Sequence, residues 1–348
     1  MQMIRSKLLV VMLLLAFSIA SGSAQQPCRI VFYNVENLFD PYNDPLTADD
    51  AFTPSGSMRW TAARYARKCA RIGRVLGDIA APDGEFPTLI GLAEVENRGV
   101  VADIAATEPL AGAGYALVHF DSPDERGIDV ALLFRPDRFV LEGCQAVRTE
   151  VPQLPHFRTR DILTVWGTID REPFFVVVSH WPSRLGGQQA SEFKRLAVGA
   201  QIRRLADSVA TRCPATKIVI MGDFNDDPTD PSVTDALGAG YEPDETSEGG
   251  LFNPFAALFR AGEGTLAYNR VWNLFDQIVV SANLTADTAA GYRLQRDAAT
   301  GRSGAVFRPD YLLQSEGDYR GSPRRTYVGN RYTDGYSDHL PVYINLIK

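Results

Sequence analysis

Ile218-Val219-Ile220-Met221-Gly222-Asp223-Phe224-Asn225-Asp226 sets four consecutive apolar residues directly before an acid and an amide. An uninterrupted apolar run has no polar face to offer water, so it reads as a strand covered on both faces of its sheet. The acid and amide then stand at the strand tip, two residues apart, where an extended chain turns both toward one cavity. Other segments repeat this design. Arg29 to Tyr33 leads into Tyr33-Asn34-Val35-Glu36-Asn37, Thr88 to Ala93 ends at Glu94, and Phe174 to Ser179 ends at His180. Asp129 to Phe134, Ile162 to Ile169, Phe275 to Val280 and Pro341 to Leu346 read as further strands, the last entered through Ser337-Asp338-His339-Leu340.

Helices are interleaved with these strands. Thr61 is a capping residue before Tyr65, Cys69, Ile72, Leu76 and Ile79, whose spacing predicts one buried face. Arg64, Arg67, Lys68, Arg71 and Arg74 read as the solvated face. A second helix is predicted from Ser191 to Val209, burying Phe193, Leu196, Ala200, Leu205 and Val209. Such alternation predicts an α/β layered domain, and no linker divides the stretch from Cys28 to Lys348. Asp40 to Arg59 reads as a long loop, and Asp226 to Ala267 and Thr285 to Gly335 as insertions or lids. The apolar Leu251 to Phe259 segment reads as core packing rather than a membrane-facing tip.

Residues 1–24 stand apart. Arg5 and Lys7 precede an apolar Leu8 to Ala20 and a small-residue end at Ser21 to Ala24, the layout of a secretory signal cut at Ala24–Gln25. The apolar run is shorter than the ~20 residues a membrane span needs, so the mature chain is expected to be exported, periplasmic or extracellular, with no transmembrane segment. Cys28, Cys69, Cys144 and Cys213 allow one or two disulfides in that setting, or four free thiols. The net charge of −7 lacks the basic surplus of a sequence-reading nucleic-acid binder. An enzyme holding phosphate through a divalent cation does not need that surplus, because the ion is the largest local charge.

The polar residues at the strand tips suit that chemistry. Glu94 is a hard oxygen donor of the kind Mg²⁺ or Mn²⁺ prefers, although alone it reads as a solvated glutamate. Asn34, past the first strand, offers an amide to a carboxylate or a phosphate oxygen; alone it reads as a turn residue. Asp223 can orient or deprotonate an attacking water, and Asn225 can donate to phosphate oxygens. Asp338-His339 sets a carboxylate beside an imidazole, and Asp276 is the candidate to fix that imidazole's tautomer. His180 can protonate a leaving oxygen or bind phosphate, with Asp129 as its candidate orienting acid. Arg184, Lys194, Arg195 and Arg160 are cations that either reach the substrate phosphate or lie at the surface. His119 and His156 lie in no comparable context.

The order Asn34, Glu94, His180, Asp223-x-Asn225, Asp276, Asp338-His339 resembles the endonuclease/exonuclease/phosphatase superfamily, which includes deoxyribonuclease I, abasic-site endonucleases, neutral sphingomyelinases and inositol polyphosphate 5-phosphatases. The match runs from Val31 to the C-terminus. Gly222-Asp223-Phe224-Asn225 and Ser337 to Val342 are its most specific parts, and Phe32 to Asp40 and His180-Trp181-Pro182-Ser183-Arg184 look like a secreted bacterial type. The resemblance implies a four-layer α/β sandwich, two mixed sheets face to face with helices outside. It implies a divalent metal, usually Mg²⁺, nearest Glu94 and Asp338 and supported by Asn34. Asp223 and Asn225 would line the phosphate and water, and His339 with Asp276 would form the activating dyad. His180 matches a histidine of the deoxyribonuclease and lipase-like branches, a position typically not histidine in abasic-site endonucleases.

The expected activity is therefore hydrolysis of phosphodiester bonds by an exported metal-dependent, nuclease-like enzyme. Its partners would be DNA or RNA without strong sequence preference, and a monomer is plausible. Phospholipid or sugar-phosphate hydrolysis on the same fold is the close alternative, and a non-catalytic phosphate-binding protein is the alternative from another class.

Overall fold

The computed structural model describes residues 27–242, 249–285 and 291–348. The expected signal segment, residues 1–24, lies outside the described residues, as do 243–248 of the first expected insertion and 286–290 of the second. The principal strands are β1 (Cys28–Leu38), β2 (Leu89–Val95), β3 (Ala116–His119), β4 (Asp129–Phe134), β5 (Phe139–Val147), β6 (Ile162–Ile169), β7 (Glu172–His180), β8 (Lys217–Asp223), β9 (Asp276–Ser281) and β10 (Val342–Ile347). The longer helices are α1 (Ala62–Ala80), α2 (Arg98–Ala105) and α3 (Gln188–Arg212).

Two mixed sheets result. The first runs β10–β1–β2–β4–β3, with the short strands Arg293–Leu294 and Gly304–Val306 both pairing with β10. The second runs β5–β6–β7–β8–β9 and continues through Leu251–Phe252 to Ala239–Gly240. Side-chain alternation builds the layers. On β1, Ile30 and Phe32 enter the core between the sheets, where they meet Val176, Val178, Val219 and Met221 of the second sheet. Val31 and Tyr33 face the other way, under Cys69, Ile72 and Leu76 of α1. On the second sheet Phe175, Val177, Ile218 and Ile220 pack under Val198 and Ile202 of α3. Both sheets are thus covered on both faces, which is why their strands read as continuous apolar runs. The expected α/β sandwich of two face-to-face mixed sheets is observed. Leu251, Phe252, Phe255 and Leu258 are buried, in keeping with core packing.

Two expectations about helix faces are corrected. Thr61 caps α1, its hydroxyl accepting from Arg64 N at 3.4 Å, and Cys69, Ile72, Leu76 and Ile79 are buried. Lys68, however, is 2% exposed rather than solvated. Its ammonium donates to the Thr326 hydroxyl and the Tyr336 carbonyl and lies 3.8 Å from Glu36. The long segment 304–336 folds back over this side of α1 and covers what the helix pattern assigns to solvent. On α3 the buried side is Ser191, Arg195, Val198, Ile202 and Ala206, while Phe193, Leu196, Ala200, Leu205 and Val209 are half-buried. The register is turned because fully buried Arg195 pairs with Asp226 at 2.7 Å, and apolar spacing cannot reveal such a pair. All four cysteines are free thiols.

A buried charge left without its partner is costly, about 3–5 kcal/mol. Lys68→Ala would remove one of the cations beside buried Glu36 and leave the Thr326 hydroxyl and Tyr336 carbonyl beneath the 304–336 segment without their donor. The expected result in urea unfolding is a loss of that order, against a change within about 0.5 kcal/mol for Arg67→Ala on the exposed face.

Candidate active site

Three adjacent strands set three of the site residues in one row. β7 and β8 run parallel with His180 opposite Asp223, and β8 and β9 run antiparallel with Asp276 opposite Asp223. Gly222 permits the close pairing: a Cβ there would lie 2.1 Å from the Ser179 carbonyl oxygen. The other sheet supplies Asn34, Glu94 and the approach to β10. Glu94 falls where the pairing of β2 with β4 shifts register, between Ala93 and Val95, and it has a left-handed backbone at φ 62°. A bulge of this kind re-aims a side chain out of the strand's alternation. Glu36, Asn37 and Asn225 are also left-handed, at φ 54°, 47° and 50°. Such strained non-glycine conformations cluster at functional sites.

The side chains converge. His180 Nε2 lies 3.9 Å from Glu94 Oε1 and 3.5 Å from Asp223 Oδ2. His339 Nε2 lies 3.7 Å from the same Asp223 oxygen and 3.9 Å from Asp338 Oδ1. Glu94, His180, Asp223, His339 and Asp338 therefore form one unbroken arc. Behind it, His339 Nδ1 is hydrogen-bonded to Asp276 Oδ2 at 2.7 Å, the expected dyad geometry. Asn34 donates from Nδ2 to Asp223 Oδ2 at 2.9 Å and accepts the Glu36 N–H at 3.0 Å, so it braces Asp223. Asn225 donates its backbone N–H to Asp223 Oδ1 at 2.9 Å and one amide proton to the Trp181 carbonyl at 3.0 Å.

Burial and neighbouring charge tune these groups in opposite senses. Burial pushes the Asp223 carboxyl up to about 6, aided by Asp276 and opposed by His339 and the donors from Asn225 and Asn34. His339 is desolvated too, but the carboxylates of Asp276 and Asp223 outweigh that and hold its proton well above the ordinary range. His180 goes the other way: burial and then the cations Arg160 and Arg126 depress it, so it is neutral at physiological pH.

Several expected partners are placed elsewhere. Asp129 does not orient His180. It sits on β4 in the first sheet, bonded to His119 Nε2 at 3.1 Å and accepting from Ser122 N at 2.9 Å. Among the described residues His180 Nδ1 is buried without a hydrogen-bond partner. Arg184 does not reach into the arc, because its guanidinium pairs with Asp226, Asp227 and Asp230 at 3.1, 3.4 and 2.6 Å. Arg160 is buried, paired with Asp124 at 3.1 Å and donating to the Trp181 carbonyl at 2.7 Å; it touches the arc only through its field on His180. Lys194 lies over the Phe157 ring. The sequence reading gave no role to Glu36, Lys68 or Arg325. Arg325 donates to Asp338 Oδ2 at 2.8 Å and lies 3.3 Å from Glu36 Oε1. Glu36 also accepts the Thr326 N–H at 2.6 Å. The signal for Glu36 was its position two residues past Asn34; nothing in the sequence tied Arg325 to Asp338. Past the end of β2, two residues beyond Glu94, Glu96 joins Asp40, Asp44, Asp121 and Asp129 in lining an acidic concavity of about 320 Å³.

The arc suits a hard divalent cation. Glu94 Oε2 accepts the Asn37 N–H at 2.8 Å, while Oε1 meets His180 only at 3.9 Å and so retains a free coordination direction. Asp338 likewise commits Oδ2 to Arg325 and leaves Oδ1 facing the arc at 3.9 Å. Asp223, Asp276 and His339 are also close enough to share an ion. Their proximity, however, is that of a directly bonded acid–imidazole pair, and Asp276 is fully buried.

Comparison with known proteins bears on the fold and the family. The fold is similar to the Bacteroides thetaiotaomicron mannosyl-6-phosphatase, at 17% identity and TM-score 0.55, covering 92% of this chain and 99% of that one. It is similar to D. rerio TDP2 complexed with a single-strand DNA product, at 16% identity and TM-score 0.51, covering 93% and 100%. It is similar to the human Nocturnin catalytic domain with bound sulfate, at 17% and 0.51, covering 92% and 94%. No curated protein sequence matches the chain. A family model does match, over residues 29–348, and by it the chain belongs to the Endonuclease/Exonuclease/phosphatase family, whose members hydrolyse phosphate esters.

Proposed function

We propose that this chain is an exported Mg²⁺-dependent hydrolase that cleaves phosphodiester bonds in a nuclease-like manner. The observation that carries the reading is the row Asp276–His339–Asp223–His180: a protonated imidazole and a neutral one flanking a single buried carboxylate. Bound at Glu94 and Asp338, a divalent cation would supply Lewis-acid neutralisation of phosphate oxygens. Asp276 fixes His339 with its proton on Nδ1 and leaves Nε2–H, positively charged, to meet charge growing on the phosphate. Asp223, ionised above about 6, orients and deprotonates the attacking water. Neutral His180 offers a hydrogen bond at Nε2 rather than a positive charge. Support for export comes from the layout of residues 1–24.

A second reading is hydrolysis of a compact phosphate ester, such as a sugar phosphate. One observation favours it. Arg184 and Arg160 are consumed by carboxylates, and the neighbouring concavity carries five acidic side chains, which repel an extended polyanion. The solved neighbours include proteins described for both kinds of substrate, a mannosyl-6-phosphatase and a TDP2 bound to DNA product.

His339→Ala, Asp223→Ala and His180→Ala are each expected to lower turnover at least about a hundredfold. Turnover of bis-p-nitrophenyl phosphate and of plasmid DNA with Mg²⁺ measures this, and near wild-type rates in all three variants would remove the assignment. EDTA is expected to abolish the activity and Mg²⁺ or Mn²⁺ to restore it; full activity in chelator counts against the cation. The pH dependence has a definite sign. The Asp223 carboxyl is raised to about 6, so protonation disables it as pH falls. A bound cation favours the ionised form, so kcat/KM at saturating Mg²⁺ should drop on the acid side with a midpoint at or below about 6. Asp223→Asn should erase that limb, and an unchanged acid limb in the variant would assign it to another group.

A further inference from the structure

A second concavity, of about 240 Å³, adjoins the arc; Glu36, Asn37, Phe52, Met58, Arg325 and Tyr327 form most of its wall. It is contiguous with both metal-holding carboxylates: Asn37 donates its N–H to Glu94, and Arg325 donates to Asp338. Its two ends differ in chemistry. At the arc stands the Arg325 guanidinium, whose side chain is 47% exposed. The far end is apolar: Phe52 and Tyr327 meet edge to face at 6.3 Å, and Met58 stands beside them. Lys68, Thr326 and Glu36 anchor the segment that carries Arg325 and Tyr327 to α1 and β1, so the wall is held in place.

Resting on the second reading above, hydrolysis of a compact phosphate ester rather than of a nucleic acid, we propose that this concavity is the subsite for the organic part of the ester, and that Arg325 is the cation that meets its phosphate. The argument is one of supply and shape. Arg184, Arg160 and Arg195, the arginines that the sequence offered for the phosphate, are locked into carboxylate pairs and largely buried. Arg325 also pairs with carboxylates, Asp338 and Glu36, but its side chain is half exposed at the junction of the arc and the concavity, and its planar fork matches phosphate oxygens. A phosphate bridging the arc and Arg325 directs its substituent toward Phe52, Met58 and Tyr327. Apolar and aromatic walls of that kind receive a single ring and exclude a duplex. The substrate class is accordingly a phosphate ester of a small ring-bearing alcohol, and Arg325 favours the dianionic monoester over the monoanionic diester.

The experiment uses the full-length mature protein with Mg²⁺, inorganic phosphate as the binding probe in calorimetry, and p-nitrophenyl phosphate and bis-p-nitrophenyl phosphate as esters. Mn²⁺ affinity by electron paramagnetic resonance tells whether Arg325 only steadies Asp338. Losing one charge-assisted contact predicts that Arg325→Gln weakens phosphate binding about tenfold or more, with Mn²⁺ affinity changed less than about threefold. The loss in kcat/KM should be larger for the monoester than for the diester, and Arg325→Lys should recover part of it. Met58→Trp, which fills the apolar end, should raise KM for p-nitrophenyl phosphate about tenfold. Wild-type phosphate affinity in Arg325→Gln, a loss matched by Mn²⁺ release, or a wild-type KM in Met58→Trp overturns the proposal. Failure of the phosphoesterase reading shows separately, as no hydrolysis of either ester by the unmutated protein.

Discussion

The 2.7 Å bond between His339 and Asp276 ties the two sheets together at the rim where the site lies. His339 approaches β10 of the first sheet, and Asp276 opens β9 of the second. Asn34 on β1 makes a parallel tie to Asp223 on β8, and Ser337 donates to the Asn34 carbonyl at 2.7 Å. The His339–Asp276 and Asn34–Asp223 links cross between the sheets, so at this rim the packed sheets are also tied by the residues that do the chemistry. Because the pairs are buried, each carboxylate needs its donor, and loss of either member leaves an uncompensated polar group.

This constraint explains how one carboxylate and two imidazoles come to differ in charge. Asp223 touches both histidines. His339 has a second carboxylate behind it and keeps its proton; His180 has cations behind it and loses it. Both rings are buried; for His339 the carboxylates of Asp276 and Asp223 outweigh that burial, whereas for His180 burial and then the cations Arg160 and Arg126 prevail. The strained residues Glu94 and Asn225 belong to the same economy of space, because bulged or left-handed strand ends aim side chains across the gap between sheets where a regular strand would aim them into a core.

The 304–336 segment extends the site beyond the strand tips. It brings Arg325 to Asp338, Thr326 to Glu36, and Tyr327 into a cluster with Phe39, Trp60 and Ile128. Burial of Lys68 beneath it couples α1 to the rim. One wall of the site is thus a long irregular segment pinned by an ion pair and aromatic contacts, consistent with specificity residing in loops on a rigid scaffold.

Much of this was legible in the chain. The apolar runs at β2, β7, β8 and β9 determined that two faces of each sheet are covered, because continuous hydrophobicity has no solvated side. The polar residues flanking buried runs marked Glu94, His180, Asp223, Asp276 and His339, since a polar residue directly before or after such a run stands at a sheet edge. β5 escaped notice because it is an edge strand with Val140, Leu141 and Glu142 exposed, so its pattern carries little contrast. What only the tertiary structure decided was pairing. Asp129 serves His119 and not His180, Arg184 serves Asp226 to Asp230, and Arg325 serves Asp338, across separations no local pattern encodes. Periodicity reports which side of an element avoids water. Which charge meets which depends on how elements pack, and that is a property of the folded whole.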